Sequence, residues 1–312
     1  MLLLVATTGG HLVQLRELAD RLPGFHSRLW VTFPSTQGRS LLAGERVVFV
    51  PDINERDILG VLRTLPIAHR LFARERPLAV VSTGSAIALA FLPYAILRGI
   101  SAHYIESAAR TGVPSLTGRV LARFPAIQLY RQYESCANGR WRYGGSVFDG
   151  FMSEDGPARP VRRVVVTLGT MPQSFRRLLE RLVAILPRHV DVFWQTAGTP
   201  TEGLGITPAP FIPAAALEAE MREADAVIAH AGCGSALTAL KLGKCPILVP
   251  RDPRGQEIVD AHQMEIAAHL DSLGLALWRQ PDTLCFADVE AASSRKVRRS
   301  ATVPAFRLAG FS

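Results

Sequence analysis

Short apolar runs alternate with segments of helical spacing along most of the chain, and this alternation constrains the fold more than any other feature. In the first half the apolar runs are "LLLVATT", "RLWVTF", "RVVFVP", "LAVVSTG" and "AHYIES". The segments between them, such as "LVQLRELADRL" and "DILGVLRTLPIAHRLFA", carry apolar residues at helical intervals. This pattern predicts βαβ units, and therefore an α/β fold with a parallel sheet covered by helices.

The alternation restarts in the second half with "RVVVTLGT" and continues through "DVFWQTAG", "DAVIAH", "CPILVP" and "LALWRQ". Between the halves, residues 139–162 are rich in Gly, Pro and charge, which indicates an interdomain linker. We therefore predict two tandem Rossmann-like, doubly wound domains at residues 1–150 and 160–285. Residues 286–312 show no helical or strand period, so we expect a basic, flexible tail, with contact to an anionic lipid surface as the alternative.

Charge and cysteine usage restrict the partners and the compartment. The formal net charge of +8 favours an anionic partner, which means a nucleic acid, a phosphorylated metabolite or an acidic membrane face. The four cysteines form no CxxC pair and no zinc-ligand pattern, so we interpret them as reduced thiols of a cytosolic protein. No aromatic and basic platform or helix-turn-helix pattern supports nucleic-acid binding.

Two apolar stretches need a separate interpretation. "MLLLVATTGG" lacks the basic start of a signal peptide and is interpreted as the first strand. "AIALAFLPYAILRGI" is shorter than the roughly 20 residues that cross a bilayer. We expect it to be a core helix, with contact to a membrane surface as the alternative.

Small and polar residues follow several of the predicted strands. In open parallel sheets, ligands bind beyond the carboxyl ends of the strands. Gly232, Gly234 and Ser235 lie where the strand "DAVIA" passes into a helix, and a helix start favours a phosphate. His230 adds a possible hydrogen bond to an anion. The alternative is a tight turn that the histidine caps. The chain has neither a GxGxxG fingerprint after the first strand nor a GxxxxGK[ST] loop, which argues against NAD enzymes and P-loop NTPases.

A second polar pair begins a later helix. His262 and Gln263 stand at the start of "HQMEIAAHL", after the polar loop that follows "PILVP". Such a pair at the same edge of the sheet is suited to hydrogen bonds with sugar hydroxyls. The alternative is that they are ordinary polar residues of a first helical turn.

The longer motifs resemble a known family. "HAGCGSALTALKLGKCPILVPR", followed by "DAHQMEIAAHL", resembles the donor-binding half of GT-B glycosyltransferases of the family 28 type, and "VVVTLGTMPQSFRRLLERL" is similar to the opening of that half. "GGHLVQL", "VSTGSA", "YIESAARTGVPSLTGRVL" and "LYRQYES" are similar to the acceptor-site subunit of the two-subunit transferase that adds the second N-acetylglucosamine to dolichol diphosphate. The order, acceptor half then donor half in one chain, also resembles paired bacterial exopolysaccharide glycosyltransferases.

The resemblance implies a GT-B architecture with the active site in the cleft between the two domains. It also implies that the diphosphate of a UDP-sugar is held by His230, Gly232, Gly234 and Ser235. Gln263 would reach the sugar beside His262, Thr170 would line the cleft, and Phe211 with Ile212 would bracket the uracil. Thr238 stands where the family commonly has a glutamate for the ribose hydroxyls, which is a departure. The fading pattern after Gln280 is a second departure, because this fold often returns a C-terminal helix to the first domain.

The acceptor half supplies the candidates for the base. His11 follows Gly9 and Gly10 at the end of the first strand, and it is predicted to take the proton from the acceptor hydroxyl or to bind the acceptor's diphosphate. Glu106, at the end of "AHYIES", is the rival base, and a structural cap is the alternative for both. Gly9, Gly10 and Arg110 are assigned to acceptor binding.

The resulting expectation is an inverting glycosyltransferase without metal or cofactor. It would move a sugar from a UDP donor to a polyprenyl-diphosphate-linked saccharide, as a cytoplasmic protein peripheral to the inner face of the cytoplasmic membrane. Its expected partners are the UDP-sugar, the lipid-linked acceptor and an anionic membrane surface, and no nucleic acid. A nucleotide-sugar epimerase of the same architecture is the first alternative. A nucleotide-sugar-binding subunit without activity is the second, which the threonine at 238 makes conceivable.

Overall fold

The computed structural model describes residues 1–22, 27–53, 57–171, 173–253, 257 and 262–311. The chain divides into two compact units. Unit 1 consists of Met1–Asp149 with Val303–Ser312, and unit 2 of Gly150–Thr302. Each unit contains a parallel sheet with helices between its strands, so the predicted α/β class with two Rossmann-like domains is confirmed.

The described part of unit 1 is built on a seven-stranded sheet with the strand order β3-β2-β1-β4-β5-β6-β7. Every pair of neighbours in it is parallel. The strands are β1 Leu2–Ala6, β2 Arg28–Thr32, β3 Val47–Phe49, β4 Ala79–Gly84, β5 Ser101–Ile105, β6 Gln128–Arg131 and β7 Trp141–Tyr143. The helices are α1 Gly10–Ala19, α2 Thr36–Leu41, α3 Ile58–Glu75, α4 Ile87–Leu97 and α5 Leu116–Leu121, with a 3₁₀ turn at Glu134–Cys136. The order 3-2-1-4-5 is that of a doubly wound sheet.

Unit 2 repeats this arrangement within its described residues. Its six-stranded parallel sheet has the order β11-β10-β9-β12-β13-β14. These strands are β9 Arg163–Thr167, β10 Asp191–Gln195, β11 Pro208–Ala209, β12 Ala226–Ala229, β13 Ile247–Leu248 and β14 Leu277–Trp278. The helices are α6 Arg176–Ile185, α7 Ala214–Glu223, α8 Cys233–Lys241, α9 His262–Ser272 and α10 Phe286–Ser294. A separate antiparallel pair joins β8 Phe151–Asp155 to β15 Arg295–Arg299.

The central strands are apolar because both of their faces are covered. All five residues of β1 are fully buried, and β12 is buried along its whole length. Helix α4 is apolar all round, and six of its residues lie in the core of unit 1, which explains its composition without a lipid contact. Within the described residues, no helix has both the length and the apolarity that crossing a bilayer requires.

The predicted interdomain linker, residues 139–162, is wrong as a description of this segment, because it forms parts of both units. Residues 141–143 are the edge strand β7, and residues 151–155 form β8. Between them, Val147 is fully buried and its amide donates to Gln132 Oε1 at 2.9 Å. Asp149 pairs with Arg21 at 2.6 Å. The glycines and charges of this stretch make turns and ion pairs, which composition does not distinguish from a linker.

The prediction of an irregular tail at 286–312 is also wrong. The segment begins with α10, whose first turn is closed by reciprocal bonds between Cys285 and Asp288, and continues into β15. Residues 303–311 then pack in unit 1, where Phe306 is fully buried and its ring lies 5.6 Å from that of Tyr130. A return to the first unit is thus present, as an extended segment. Residues 295–311 carry no period because their partners are distant in the chain: β8 for β15, and Tyr130 for Phe306.

Candidate functional site

The residues predicted to bind the donor lie at the carboxyl edge of the sheet of unit 2. Thr170 follows β9, Phe211 and Ile212 follow β11, and His230 follows β12. Parallel strands bring these ends to one edge. Phe211 is 64% exposed, as a side chain available to stack on a ligand would be. The sequence-predicted set is therefore brought to one edge of the unit.

The start of α8 at this edge is suited to an anion. Gly232 is its N-cap, and no side chain caps the first turn, which contains Gly234 and Ser235. The first amides of a helix have no partner within the helix and carry the positive end of its dipole. Thr238 lies one turn later, and its hydroxyl donates to the carbonyl oxygen of Gly234 at 3.0 Å. Its oxygen can still accept a hydrogen bond, whereas its proton is directed back to the helix.

His230 is held as a neutral, buried imidazole. Its side chain is 6% exposed, and its Nδ1 lies 3.3 Å from the carbonyl oxygen of Thr167. Burial, followed by the positive charge of Arg251, lowers the pKa of His230 to about 3. Because a carbonyl oxygen only accepts, this bond requires the proton on Nδ1. A hydrogen bond from Nε2 to a phosphate therefore requires a second proton or the other tautomer.

The glycines around His230 make room for its ring. A Cβ atom on Gly232 would lie 2.3 Å from His230 Nε2, and one on Gly169 would lie 2.4 Å from His230 Cε1. Gly169 also has a φ of +76°, which disfavours a side chain. The sequence suggested that small residues here admit a ligand, and the structure adds that they admit the imidazole.

Gly232→Ala is expected to lower the free energy of unfolding by about 1–3 kcal/mol, as overpacking does. Its φ of −76° suits any residue, so the effect is steric. The double variant Gly232→Ala/His230→Ala is the control, because it removes the group that the new methyl meets. Urea titrations of the four proteins of this cycle measure the coupling. If Gly232→Ala lowers the free energy of unfolding equally with and without the His230 side chain, the imidazole does not pack against Gly232.

Arg251 is a candidate site residue that was not predicted from the sequence. It follows β13, is fully buried, and donates from Nη2 to the carbonyl oxygens of Leu168 and Gln173 at 3.1 and 3.3 Å. Its guanidinium lies 5.2 Å from the ring of Phe175. Nε and Nη1 have no hydrogen-bond partner among the described residues. Burial lowers the pKa of Arg251 to about 10. A cation directly after the apolar run "PILVP", at the ligand-binding edge, was the available signal.

Two buried glutamines hold this edge together. Gln263 is 1% exposed, and its Oε1 accepts from the amide of Arg251 at 2.9 Å, so it positions the loop after β13. His262 begins the same helix, α9. Gln195 accepts from the amide of Gly169 at 3.1 Å and donates to the carbonyl oxygens of Gly169 and Pro210, both at 2.8 Å. It thereby ties together the ends of β9, β10 and β11.

The candidate base of unit 1 stands in the first turn of α1. Nδ1 of His11 lies 2.7 Å from the carbonyl oxygen of Thr83, and the Thr83 hydroxyl donates to the carbonyl oxygen of His11 at 2.8 Å. The first bond places the proton of the neutral ring on Nδ1, which makes Nε2 the basic nitrogen. Gly9, the N-cap, has a φ of +83° and donates its amide to Gln37 at 2.7 Å, and Gly10 begins the helix.

Glu106, the rival base, is buried and fully engaged by donors. Its side chain is 1% exposed, and it accepts from Tyr104 Oη, the amide of Ser107, and the amide and hydroxyl of Ser115 at 2.9–3.2 Å. Ser115 caps α5, and a Cβ on Gly118 would lie 2.4 Å from Glu106 Oε2. Burial, and next the charge of Glu106, hold the pKa of Tyr104 well above its usual value. Glu106 thus holds the loop after β5 in place.

Unit 1 brings its predicted residues to one edge as well. A Cβ on Gly84 would lie 3.2 Å from His11 Cε1 and 3.5 Å from the oxygen of Tyr104, the residue that donates to Glu106. Arg110 lies half-buried in the loop after β5. Gln14, which is buried in α1, was not predicted from the sequence.

Gln14 connects α1 to the ends of β5 and β6. Its Oε1 accepts from the amide of Ala108 at 2.7 Å and from Gln132 Nε2 at 3.0 Å. Its Nε2 donates to the hydroxyl of Ser107 at 3.0 Å. The helix that carries His11 is thereby fixed to the loop that carries Arg110.

Known proteins match this chain in part of its sequence and in its fold. Residues 194–285 match the family model of the glycosyltransferase family 28 C-terminal domain. A stretch of 54 residues is 46% identical to the UDP-N-acetylglucosamine transferase subunit ALG13 of Yarrowia lipolytica, which covers 17% of this chain and 26% of that protein. The chain thus spans about a quarter of the length of this curated relative.

Solved structures are similar over nearly the whole chain. MurG of Acinetobacter baumannii has a TM-score of 0.59 and 19% identity, over 93% of this chain and 88% of its own. The glycosyltransferase SsfS6 of Streptomyces sp. SF2575, complexed with thymidine diphosphate, has a TM-score of 0.54 and 21% identity, over 94% and 89%. The two Rossmann-like units therefore have the fold of GT-B glycosyltransferase structures such as MurG, and residues 194–285 match the glycosyltransferase family 28 C-terminal domain.

Proposed function

We propose that the protein is an inverting glycosyltransferase that moves a sugar from a UDP-sugar to a polyprenyl-diphosphate-linked saccharide. The observation that carries the proposal is the carboxyl edge of unit 2, where the uncapped start of α8 lies in the segment that matches family 28. Arg251, with two donors unpartnered among the described residues, adds a buried positive charge at the same edge. A diphosphate is the ligand that these donors favour.

The donor assignment has support from the comparisons. The partial relative is named a UDP-N-acetylglucosamine transferase subunit, and two structural neighbours were solved with thymidine diphosphate. These names support the binding of a nucleoside diphosphate. We propose more specifically that the donor is UDP carrying an N-acetylhexosamine, another hexose or a glucuronosyl group. Phe211 and Ile212 would bracket the base, and His262 would approach the sugar. Gln263, whose Oε1 accepts from the amide of Arg251, would approach the sugar through its amide nitrogen.

The proposed transfer is a single displacement. The acceptor hydroxyl oxygen attacks the anomeric carbon, the bond from that carbon to the β-phosphate oxygen breaks, and UDP leaves with the electron pair. His11 Nε2 takes the hydroxyl proton, as a general base in the tautomer that Thr83 selects. Charge on the leaving diphosphate is stabilised by the helix start and by Arg251, which is why we propose a reaction without a metal.

The proposed acceptor side rests on charge and exposed apolar surface. Gly9, Gly10 and Arg110 would bind the acceptor at the carboxyl edge of unit 1. Three apolar side chains at the start of α3, Ile58, Leu59 and Leu62, are exposed. Together with the net charge of +8 they support peripheral contact with an anionic membrane, at the inner face of the cytoplasmic membrane.

The experiment that tests this function is a UDP-release assay across a panel of UDP-sugars, with and without polyprenyl-diphosphate saccharides. We expect release with one donor only when the acceptor is present. His11→Ala is the control for release that does not come from this site. Interconversion of the donor without any acceptor would instead show an epimerase. UDP binding without turnover would show a binding subunit. This alternative is supported by Thr238, whose hydroxyl donates to a carbonyl oxygen of its own helix.

A further inference from the structure

A second basic site lies at the opposite edge of the sheet of unit 2. A cavity of about 360 Å³, here called the basal cavity, is lined by Asp225 and by five cationic residues: Arg159, Lys244, Arg295, Lys296 and Arg298. Asp225 directly precedes β12 and Lys244 precedes β13, whereas His230 and Arg251 follow the same strands. The basal cavity is therefore at the amino-terminal edge, away from the proposed donor site, and it does not depend on the proposed function.

The charges of the basal cavity are not balanced by its own residues. The carboxylate of Asp225 already accepts from the amides of Arg162 and Arg163 at 2.8 and 2.9 Å. Lys244 donates to the carbonyl oxygen of Ala224 at 2.5 Å, and burial lowers its pKa although two carboxylates act against this. Lys244 is half-buried, so its ammonium is partly removed from water. A half-buried cation beside other cations is stabilised by an anion.

Three cations of β15 line the basal cavity, and Arg295 among them pairs with Asp155 at 3.1 Å. The other two, Lys296 and Arg298, have weak partners or none. Arg298 lies 3.4 Å from the exposed carboxylate of Glu154, a surface pair that contributes little. Lys296 has no side-chain hydrogen bond among the described residues, and it projects from the exposed part of the same strand. Lys244 binds the C-cap carbonyl of α7, and this contact with a helix end explains its position. Lys296 and Arg298 have no such contact in the part of the chain that the structure describes.

We propose that the basal cavity binds a phosphate group. Guanidinium forks match the oxygens of a phosphate in pairs, and an ammonium adds a point charge. The volume is within the range of small-ligand sites. The phosphate can belong to a soluble polyphosphate or to the headgroup of an anionic lipid, and the segment "RKVRR" supplies four of the cations in this part of the chain.

The test uses the full chain, with inorganic pyrophosphate as the probe and saturating UDP present to occupy the proposed donor site. Calorimetric titration is expected to show pyrophosphate binding that Lys296→Gln/Arg298→Gln weakens by about tenfold, since charge-assisted bonds are lost. Arg188→Gln/Arg222→Gln is the matched control. It removes the same charge from exposed residues of unit 2, and Arg222 is likewise paired with an exposed glutamate, Glu218. The control is expected to bind as the wild type does.

Vesicles separate the two sources of the phosphate. Sedimentation with vesicles of phosphatidylcholine and phosphatidylglycerol, reduced by the cavity variant alone and competed by pyrophosphate, would assign a lipid headgroup. Unchanged sedimentation with lost pyrophosphate binding would assign a soluble polyphosphate. Circular dichroism confirms that both variants are folded. Absence of pyrophosphate binding by the wild type, or equal weakening in both variants, would overturn the proposal.

Discussion

His11→Ala is expected to lower kcat by about a hundredfold or more, the lower end of what a general base contributes. The reason is geometric. The Thr83 carbonyl oxygen, 2.7 Å from Nδ1, accepts a hydrogen bond and so keeps the proton of the neutral ring on Nδ1, which leaves Nε2 as the nitrogen that accepts a proton. The measurement is turnover at saturating donor and acceptor, together with UDP affinity, which we expect to remain unchanged. His69→Ala, which removes an exposed imidazole of the same unit, is the matched control.

Glu106→Gln separates the two candidate bases. The amide of a glutamine presents donors of its own to a group of four donors, so we expect a loss of stability of about 1–3 kcal/mol. The folded fraction should keep its kcat. If Glu106→Gln loses kcat and His11→Ala keeps it, Glu106 is the base. A change in His11→Ala that is confined to the acceptor KM would place His11 in acceptor binding.

The central strands were predictable because burial on both faces leaves continuous apolar runs, and helix α3 was predictable from its helical spacing. Strands β1, β4 and β9 and helix α3 lie where the sequence placed them, within a few residues. Elements without an apolar run were not predictable. β15, with one buried residue in "RKVRR", is a strand because β8 pairs with it from far along the chain. Phe306 was likewise not predictable as a core residue, because it packs against Tyr130, which is distant in the chain.

The positions of the candidate site residues were more predictable than their contacts. Residues that follow parallel strands reach one edge, so His11, Glu106 and His230 could be placed from sequence. Their hydrogen bonds could not, because contacts such as His11 with Thr83 depend on the folded chain, and the four donors that engage Glu106 depend on the loop after β5. Gln14 and Arg251 carried only a weak signal, since a buried glutamine or arginine is recognised by its surroundings.

The remaining prediction concerns stability in acid: we expect the free energy of unfolding to fall as the pH falls, because His230 is kept neutral in the folded protein. Its pKa is about 3 in the folded protein, against an ordinary value of 6.5. Above pH 6.5 the ring is neutral in both states, so His230 contributes no pH dependence there. Below 6.5 the unfolded chain takes up a proton that the folded protein does not. Each pH unit between 6.5 and about 3 therefore costs about 1.4 kcal/mol, on the order of 5 kcal/mol in all.

Urea denaturation at several pH values, for the wild type and His230→Asn, measures this contribution. We expect the difference in free energy of unfolding between the two proteins to be constant above pH 6.5 and to change by about 1.4 kcal/mol per pH unit below it, in favour of the variant. His103→Asn is the control in unit 1, because burial lowers the pKa of His103 to about 4 and its effect belongs to a different unit. Tryptophan fluorescence reports on both units, because Trp30 and Trp141 lie in unit 1 and Trp194 and Trp278 in unit 2. A difference between wild type and His230→Asn that does not change with pH would mean that the imidazole is not held neutral, and the packing between Gly169 and Gly232 would then have to be reconsidered.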